Sequence, residues 1–148
     1  MGAALAELHH AFDAPRFMVT DDMEAGYRGW LGKELKNPGA VVLVAELDGD
    51  LCGYAYGRLE DTDWNALLDK HGGFHDLWVD PPGRRQGAGR LLSGALVARL
   101  KALGAPRVVL MSAAQNLSAQ RLFASLGFRP TMVEMTLEAG HSVTSAAT

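Results

Sequence analysis

The order of apolar and polar positions along the 148 residues predicts alternating helices and strands. Apolar residues at helical spacing predict helices over residues 3–12, about 21–35, 87–103 and 116–126. Apolar and β-branched runs predict strands over residues 40–47, 51–59, 74–79, 107–111 and about 128–137. The pattern therefore predicts an α/β chain with no internal repeat and no second domain.

Turn and cap signals refine these boundaries. Asp48-Gly49-Asp50 marks a hairpin turn between the first two strands. Asp21 and Glu24, three residues apart, resemble a capping box at the start of the second helix. Residues 63–70 are expected to form a short helix or an ordered loop. An antiparallel hairpin therefore enters a mixed sheet.

A basic, glycine-bearing turn follows the strand that ends at Val79. It reads Asp80-Pro81-Pro82-Gly83-Arg84-Arg85-Gln86-Gly87-Ala88-Gly89-Arg90 and leads directly into a helix. A helix start presents unpaired N–H groups and the positive end of the helix dipole, and glycine lets an anion approach the backbone closely. Arginine's planar fork suits phosphate. The turn therefore predicts a phosphate or pyrophosphate site.

The spacing of this turn excludes two other nucleotide motifs. A P-loop needs a lysine after its glycines, and none follows here. The dinucleotide fingerprint needs a third glycine, but Gly87-Ala88-Gly89 is followed by Arg90-Leu91-Leu92. The pattern that remains is Arg-x-x-Gly-x-Gly, at Arg84, Gly87 and Gly89, directly after a strand.

A second signature lies in residues 116–128. Asn116-Leu117-Ser118-Ala119-Gln120-Arg121-Leu122-Phe123 is followed by Ala124-Ser125-Leu126-Gly127-Phe128. Asn116 is a good helix N-cap, and Gly127 suits a helix end. With both motifs in this order, and a helix and a strand between them, the chain resembles the GNAT superfamily of acyl-CoA-dependent N-acetyltransferases over roughly residues 40–130.

The resemblance implies a three-layer α/β fold, which some schemes class as α+β. Its central mixed sheet has an antiparallel N-terminal hairpin and two splayed parallel strands, with helices on both faces. We expect one such domain over residues 1–138 and a flexible tail over 139–148. Domains of this family usually open with a strand, whereas this chain opens in a helix. That strand is absent, or the chain starts late, and its loss would expose a sheet edge that a dimer partner could cover.

The resemblance also implies that acetyl-CoA binds in the cleft between the strand ending at Val79 and the strand 107–111. Backbone groups of Leu77 and Val79 would bind the pantetheine arm, and N–H groups from Arg84 to Arg90 would bind the pyrophosphate. The implied cofactor-binding residues are Leu77, Trp78, Val79, Arg84, Arg85, Gln86, Gly87, Ala88, Gly89, Arg90, Asn116, Ala119 and Phe123.

Transfer to an amine requires a base, and His75 is the first candidate. It lies four residues before Val79, where relatives often carry a glutamate, and strand alternation predicts that it shares a face with Leu77 and Val79. The alternative is a histidine that only lines the cleft. Glu60 is a second candidate, together with Asp61 and Asp63.

Phe123 occupies the position where the family often has a tyrosine that protonates the departing thiolate. Phenylalanine cannot donate a proton. Three explanations stay open: the thiolate leaves unassisted or takes its proton from water, another donor such as Ser125 or Tyr56 substitutes, or the protein binds acyl-CoA with little turnover.

Charge and composition narrow the partners. A net charge of −3 argues against nucleic acid as the main partner. The single cysteine excludes an internal disulfide, and no Cys/His cluster has the ligand spacing of a metal site. No apolar run reaches membrane-spanning length, and the N-terminus does not resemble a signal peptide, so the expected location is cytoplasmic without membrane contact.

The acceptor is expected to be a small cationic molecule with a primary amine. Acidic residues in the regions that build acceptor pockets in this family favour a positive charge; they are Asp13, Asp21, Asp22, Glu24, Asp61 and Asp63. The main expectation is an acetyl-CoA-dependent N-acetyltransferase that forms a homodimer. The alternatives are a protein or peptide N-terminal acetyltransferase and a non-catalytic acyl-CoA sensor.

Overall fold

The computed structural model describes residues 1–140, so most of the predicted tail 139–148 lies outside the described residues. Helices and strands alternate broadly as the sequence predicts. In chain order they are α1 (Gly2–Phe12), α2 (Met23–Glu34), β1 (Ala40–Leu47), β2 (Asp50–Glu60), β3 (His71–Val79), α3 (Ala88–Ala102), β4 (Val108–Leu110) and α4 (Leu117–Ser125). A short 3-10 turn, Pro81–Gly83, joins β3 to the segment before α3. Within residues 1–140, no helix has the length and apolar character needed to cross a membrane.

The four strands form one mixed sheet in the order β1-β2-β3-β4. The first three are antiparallel neighbours, and Asp48 and Gly49 close the predicted hairpin with positive φ values of 53° and 92°. β3 and β4 run parallel but pair only where Gly72, Gly73 and Phe74 meet Val108, Val109 and Leu110. Beyond this short ladder the two strands separate, so the expected mixed sheet with splayed parallel strands is confirmed.

Helices cover both faces of the sheet. Leu92, Leu96 and Leu100 of α3 pack with Ala55 and Phe74 of the sheet, and Phe123 of α4 joins the same cluster. On the opposite face, Trp30 of α2 packs edge-on against the buried ring of Tyr56, with centroids 4.9 Å apart. The core therefore lies mainly between the sheet and α3.

Gly57 of β2 allows α3 to approach the sheet closely. A Cβ atom at this position would lie 2.6 Å from the Gly73 carbonyl oxygen and 3.2 Å from a methyl of Leu100. The backbone oxygen cannot move away cheaply, so a side chain at Gly57 would distort the pairing of β2 with β3. Close packing here holds β3, and the residues at its end, in a fixed position.

The predicted strand over about 128–137 is wrong. These residues lie in no strand, and the side chains of Val133 and Met135 are 82% and 89% exposed. At its start the ring of Phe128 packs edge-on against Phe123, and farther along Glu134 forms an ion pair with Arg16. Alternation of apolar and polar residues favours a strand, but a strand forms only where a neighbour pairs with its N–H and C=O groups.

The capping box predicted at Asp21 and Glu24 is also wrong. Helix α2 begins at Met23 with Asp22 as its N-cap residue, and the Asp22 side chain makes no capping hydrogen bond to the helix. The Asp22 carboxylate accepts a hydrogen bond from the Thr20 hydroxyl at 2.9 Å, while Glu24 pairs with Arg28 one turn later. Residues 63–70 form the ordered loop, closed by two backbone hydrogen bonds between Asp63 and Leu68.

Candidate active site

The start of α3 has the geometry of an anion site. Gly87 is its N-cap residue with φ +88°, and the first backbone bond of the helix runs from the Leu91 N–H to the Gly87 carbonyl at 3.0 Å. The N–H groups of Ala88, Gly89 and Arg90 therefore precede the hydrogen-bond ladder, and no side chain from the described residues caps them. A Cβ atom on Gly87 would meet no atom within 4 Å. We call this helix start, residues 84–90, the cradle.

The cradle's side chains are partly held by the protein. Arg84 donates from Nε to the Val79 carbonyl at 2.8 Å, and its guanidinium lies 5.0 Å from the Trp78 ring centroid. Arg90 donates to the Ser125 hydroxyl at 2.8 Å. Arg85 is exposed, with an unusual positive φ of 62°. The Val79 carbonyl accepts from Arg84 with one of its two lone pairs, so this hydrogen bond holds Arg84 at the end of β3.

Gln86 also turns back onto the protein. Its side-chain nitrogen donates to the Pro82 carbonyl at 2.7 Å, which fixes the loop between the 3-10 turn and α3. Its contribution to the cradle in this arrangement is therefore to hold the loop.

A narrow cavity of about 60 Å³ lies where β3 and β4 separate. We call it the strand cleft. Its walls come from β3, the residues around and after the end of β4, α4 and one face of α1. They are Leu5, His9, Phe74, His75, Leu77, Leu110, Met111, Ser112, Asn116, Ala119 and Phe123. The fold therefore brings five predicted site residues together here, namely His75, Leu77, Asn116, Ala119 and Phe123, whereas Trp78, Val79 and the cradle do not line this cavity.

Asn116 caps α4 and faces the strand cleft. Its side-chain oxygen accepts from the Ala119 N–H at 3.2 Å and from the Ser118 hydroxyl at 3.1 Å. The predicted N-cap is therefore confirmed. Since the oxygen is engaged in capping, the side-chain NH₂ is the group that Asn116 can offer to a ligand.

His75 lies at a β-bulge. The register of β3 against β2 passes from Asp76 opposite Tyr56 to Phe74 opposite Gly57, so His75 is the extra residue. Its ring stacks on Tyr56 with centroids 5.4 Å apart. The prediction that His75 shares a face with Leu77 and Val79 is wrong, because alternation holds only in regular pairing and a bulge re-aims the side chain.

Glu60 lies beside His75 at the end of β2. The His75 Nε2–H donates to its carboxylate at 2.7 Å, and Arg58 donates to the same group at 2.9 and 3.0 Å. Burial acts to raise the pKa of Glu60, but the hydrogen bonds from Arg58 and His75 outweigh it and hold the pKa below its usual value. Glu60 therefore stays ionised and accepts the Nε2–H of His75, so Nδ1 is the ring nitrogen that this pair leaves open.

Glu34 of α2 completes this polar cluster. It accepts from the Tyr56 hydroxyl at 2.6 Å and lies 3.7 Å from Arg58. Burial and this hydrogen bond raise the pKa of Tyr56. Two carboxylates, Glu34 and Glu60, therefore flank one arginine next to His75, and the local charge is negative.

The acidic residues expected to attract an amine are mostly in local contacts. Glu24 pairs with Arg28, and Asp22 accepts from Thr20. Asp63 accepts from the N–H groups of Asn65 and Ala66 and so holds its own loop. The carboxylate that bonds to His75 is Glu60, which the sequence predicted as a site residue. Glu34 belongs to the same polar cluster, and the sequence did not indicate it.

Sequence reasoning missed two polar residues of the strand cleft. His9 of α1 lines the cleft, and its Nδ1–H donates to the Leu5 carbonyl at 2.8 Å. Ser112 follows β4, and its hydroxyl is buried without a hydrogen-bond partner in the described residues. No local signal identifies either residue, since each reaches the cleft through tertiary packing.

These features fit an acyl-CoA. The cradle offers unpaired N–H groups and open space over Gly87 for a pyrophosphate, and the unpaired ends of β3 and β4 offer a slot for an extended arm. Across residues 1–140, no group of three or more His, Cys, Asp or Glu side chains is arranged to hold a metal ion.

Comparison with known proteins agrees with this geometry. The sequence model of the acetyltransferase (GNAT) family matches residues 5–128. A comparison with curated protein sequences found no significant match. Similar solved structures include a tetramutant of the BH1408 protein from Bacillus halodurans, with 24% identity, 91% and 87% of the two chains covered and a TM-score of 0.76.

Two further similar structures are aminoglycoside acetyltransferases. The aminoglycoside antibiotic 6'-N-acetyltransferase from Acinetobacter haemolyticus shares 19% identity over 83% of this chain and 86% of its own, with a TM-score of 0.69. An aminoglycoside N-acetyltransferase in complex with CoA shares 20% identity over 82% of this chain and 95% of its own, with a TM-score of 0.65. At these identities the likeness shows the fold.

Proposed function

This chain belongs to the GNAT acetyltransferase family, and we propose that it transfers an acetyl group from acetyl-CoA to the primary amine of a small cationic acceptor. The observation that carries the proposal is the opening between β3 and β4, together with the uncapped start of α3, whose preceding Arg84 bonds to Val79 at the end of β3. A phosphate site and a slot for an extended arm meet there. The CoA complex of a structural neighbour agrees with this choice of cofactor.

When bound, acetyl-CoA supplies an acetyl group activated as a thioester. The chain's own residues supply binding and proton transfer. The cradle binds the pyrophosphate through the N–H groups of Ala88, Gly89 and Arg90, supported by Arg84 and Arg85. Leu77, Asn116, Ala119 and Phe123 form walls of the strand cleft around the reactive end. Catalysis then depends chiefly on positioning.

His75 accepts the proton of the attacking amine through Nδ1. Its Nε2–H donates to Glu60, whose ionised carboxylate orients the ring and stabilises the imidazolium that forms. In this proposal the two predicted catalytic residues act as one hydrogen-bonded pair. Glu60 acts through His75 and is not itself the first proton acceptor.

The charge around His75 supports a cationic acceptor. Glu34 and Glu60 outnumber Arg58 in the cluster, so a positive amine is attracted to this side of the sheet. Candidates are polyamines, aminoglycoside-like molecules and amino-acid derivatives, and two structural neighbours act on aminoglycosides. The competing function is an acyl-CoA sensor with little turnover, which Phe123 favours because it cannot protonate a thiolate.

We also propose that the protein is a homodimer. The apolar residues Val133, Met135 and Leu137 alternate with polar ones in an exposed segment. A second copy that pairs with this segment would bury them. Sedimentation should then give a dimer mass, and Met135→Lys should shift the protein toward monomer. A monomeric wild type at micromolar concentration would contradict this proposal.

The transferase proposal is tested by free-thiol release from acetyl-CoA across polyamines, aminoglycosides, amino acids and short peptides. Each acceptor is compared with a sample without acceptor, and CoA binding is measured by calorimetry on the same preparation. Release that depends on a small amine supports the proposal, whereas release only with peptides supports the N-terminal acetyltransferase alternative. CoA binding without release on any acceptor supports the sensor.

A further inference from the structure

The hydroxyl of Ser112 is an unusual group in this fold. Its oxygen is buried, yet it has no hydrogen-bond partner within residues 1–140. A buried polar group without a partner costs free energy, so such groups are rare and call for a physical explanation. A ligand that accepts a hydrogen bond from the Ser112 hydroxyl would remove this cost.

The position of Ser112 indicates which part of a ligand it would meet. It lies two residues after Leu110, the last residue of β4 that pairs with β3. It lines the strand cleft together with Phe123 of α4 and His75 of β3. Ser112 therefore follows the point where the pairing of β3 with β4 ends, and it lines the same cavity as the proposed base.

The two hydroxyl groups that could replace the family's tyrosine, those of Ser125 and Tyr56, are engaged in other hydrogen bonds. The Ser125 hydroxyl donates to the Leu122 carbonyl at 2.7 Å and accepts from Arg90. The Tyr56 hydroxyl donates to Glu34 at 2.6 Å. Neither residue lines the strand cleft. Of these three hydroxyl groups in the described chain, only that of Ser112 has no partner and belongs to a residue that lines the strand cleft with Phe123.

We propose that the Ser112 hydroxyl donates a hydrogen bond to the CoA sulphur as it departs, and so replaces the donor that Phe123 cannot supply. This assignment rests on the proposed acetyl transfer. In that reaction a bond forms between the amine nitrogen and the acetyl carbon, the C–S bond breaks, and its electron pair goes to sulphur. The amine proton goes to His75.

Ser112 keeps its own proton throughout. An aliphatic hydroxyl is a weaker acid than a thiol, so it stabilises the thiolate by a charge-assisted hydrogen bond and does not protonate it. The thiolate then takes a proton from solvent, and His75 returns its proton to solvent. Ser112 thus acts on the charge that develops in the transition state.

The first test measures the pKa of the CoA thiol in complex with the protein, by ultraviolet difference absorbance of the thiolate. A hydrogen bond to the thiolate lowers this pKa, so Ser112→Ala should raise it by about 1 to 2, the value of one hydrogen bond to a charged group. Ser112→Thr keeps the hydroxyl and should retain most of the effect. Ser125→Ala removes the competing hydroxyl and should leave the thiol pKa unchanged.

Two further readouts separate this role from a structural one. Ser112→Ala without CoA should unfold at the same temperature as the wild type or higher, because the variant removes a buried unpaired hydroxyl. With acetyl-CoA and an acceptor, it should lower kcat about tenfold to a hundredfold with little change in KM. Adding Phe123→Tyr to Ser112→Ala should restore part of kcat and lower the thiol pKa again.

The outcomes are distinct. If CoA binds but Ser112→Ala leaves the thiol pKa and kcat unchanged, the Ser112 assignment is wrong while the proposed function stands. The same conclusion follows if Ser125→Ala shifts the pKa instead, or if Ser112→Ala lowers the unfolding temperature by several degrees. If the wild type does not bind CoA, the proposed function fails and this assignment fails with it.

Discussion

Helix α3 has a glycine at positive φ at each end, and this pair gives a matched test of the cradle. Gly87 precedes the first turn with φ +88°, and Gly104 follows the last turn with φ +95°. A Cβ atom would meet nothing within 4 Å at either position. Gly87→Ala and Gly104→Ala therefore impose the same backbone strain on the same helix, but only the first places a methyl group where an anion would bind.

The magnitudes follow from these two effects. A left-handed conformation costs an ordinary residue about 1–2 kcal/mol, so each variant should lower the unfolding temperature by about 3–6 °C. At Gly87 the methyl group should also displace one hydrogen bond to the pyrophosphate, worth about 1.5–3 kcal/mol. That loss raises the Kd for CoA about 10- to 150-fold.

Calorimetric titration with CoA measures Kd, and a thermal scan measures stability on the same samples. Gly104→Ala should bind CoA as the wild type does, despite its lower unfolding temperature. Pantetheine, which lacks the pyrophosphate, should not distinguish the two variants. Equal CoA affinity in Gly87→Ala and Gly104→Ala would refute the assignment of the cradle.

Three further predictions concern charge and protonation. Arg84→Glu with Arg85→Glu should raise the Kd for CoA more than tenfold and reduce its dependence on salt, and an unchanged Kd would contradict the cofactor site. His75→Ala should lower kcat with little change in the KM for acetyl-CoA and should flatten the pH profile, whereas a profile like that of the wild type would exclude His75 as the base. Burial raises the pKa of Asp76, and this effect outweighs a hydrogen bond from Tyr54 that lowers it. The pKa of Asp76 in the folded state therefore lies above the unfolded value of about 3.9. The free energy of unfolding should therefore fall as pH rises from that value through the folded pKa, and denaturant titrations of Asp76→Asn should show a smaller fall; an equal slope would contradict this explanation.

The sequence predicts best what local signals determine. Asn116 caps α4, and Gly87 and Gly127 adopt positive φ at helix boundaries, because these residue types favour those conformations in any fold. The hairpin at Asp48 and Gly49 follows for the same reason. The two motifs could therefore be placed on the right elements before the sheet was known.

The predictions that failed depend on residues far apart in the chain. The bulge at His75 arises from the register of β2 against β3, and no pattern within β3 marks it. The predicted strand over 128–137 has suitable alternation, but in the described chain it has no pairing partner. Ser112 is an ordinary residue type for a loop, and only tertiary packing buries its hydroxyl and brings the residue to the cleft that Phe123 also lines.

The most direct test of the central claim follows the acetyl group itself. Purified protein is incubated with isotopically labelled acetyl-CoA and each small amine in turn, and the acceptor is weighed by mass spectrometry beside a His75→Ala sample. The labelled acetyl group should appear on the amine of at least one cationic acceptor, at a rate that His75→Ala strongly reduces. Intact acetyl-CoA bound to the protein, with no labelled acceptor from any amine, would contradict the transferase and leave a sensor.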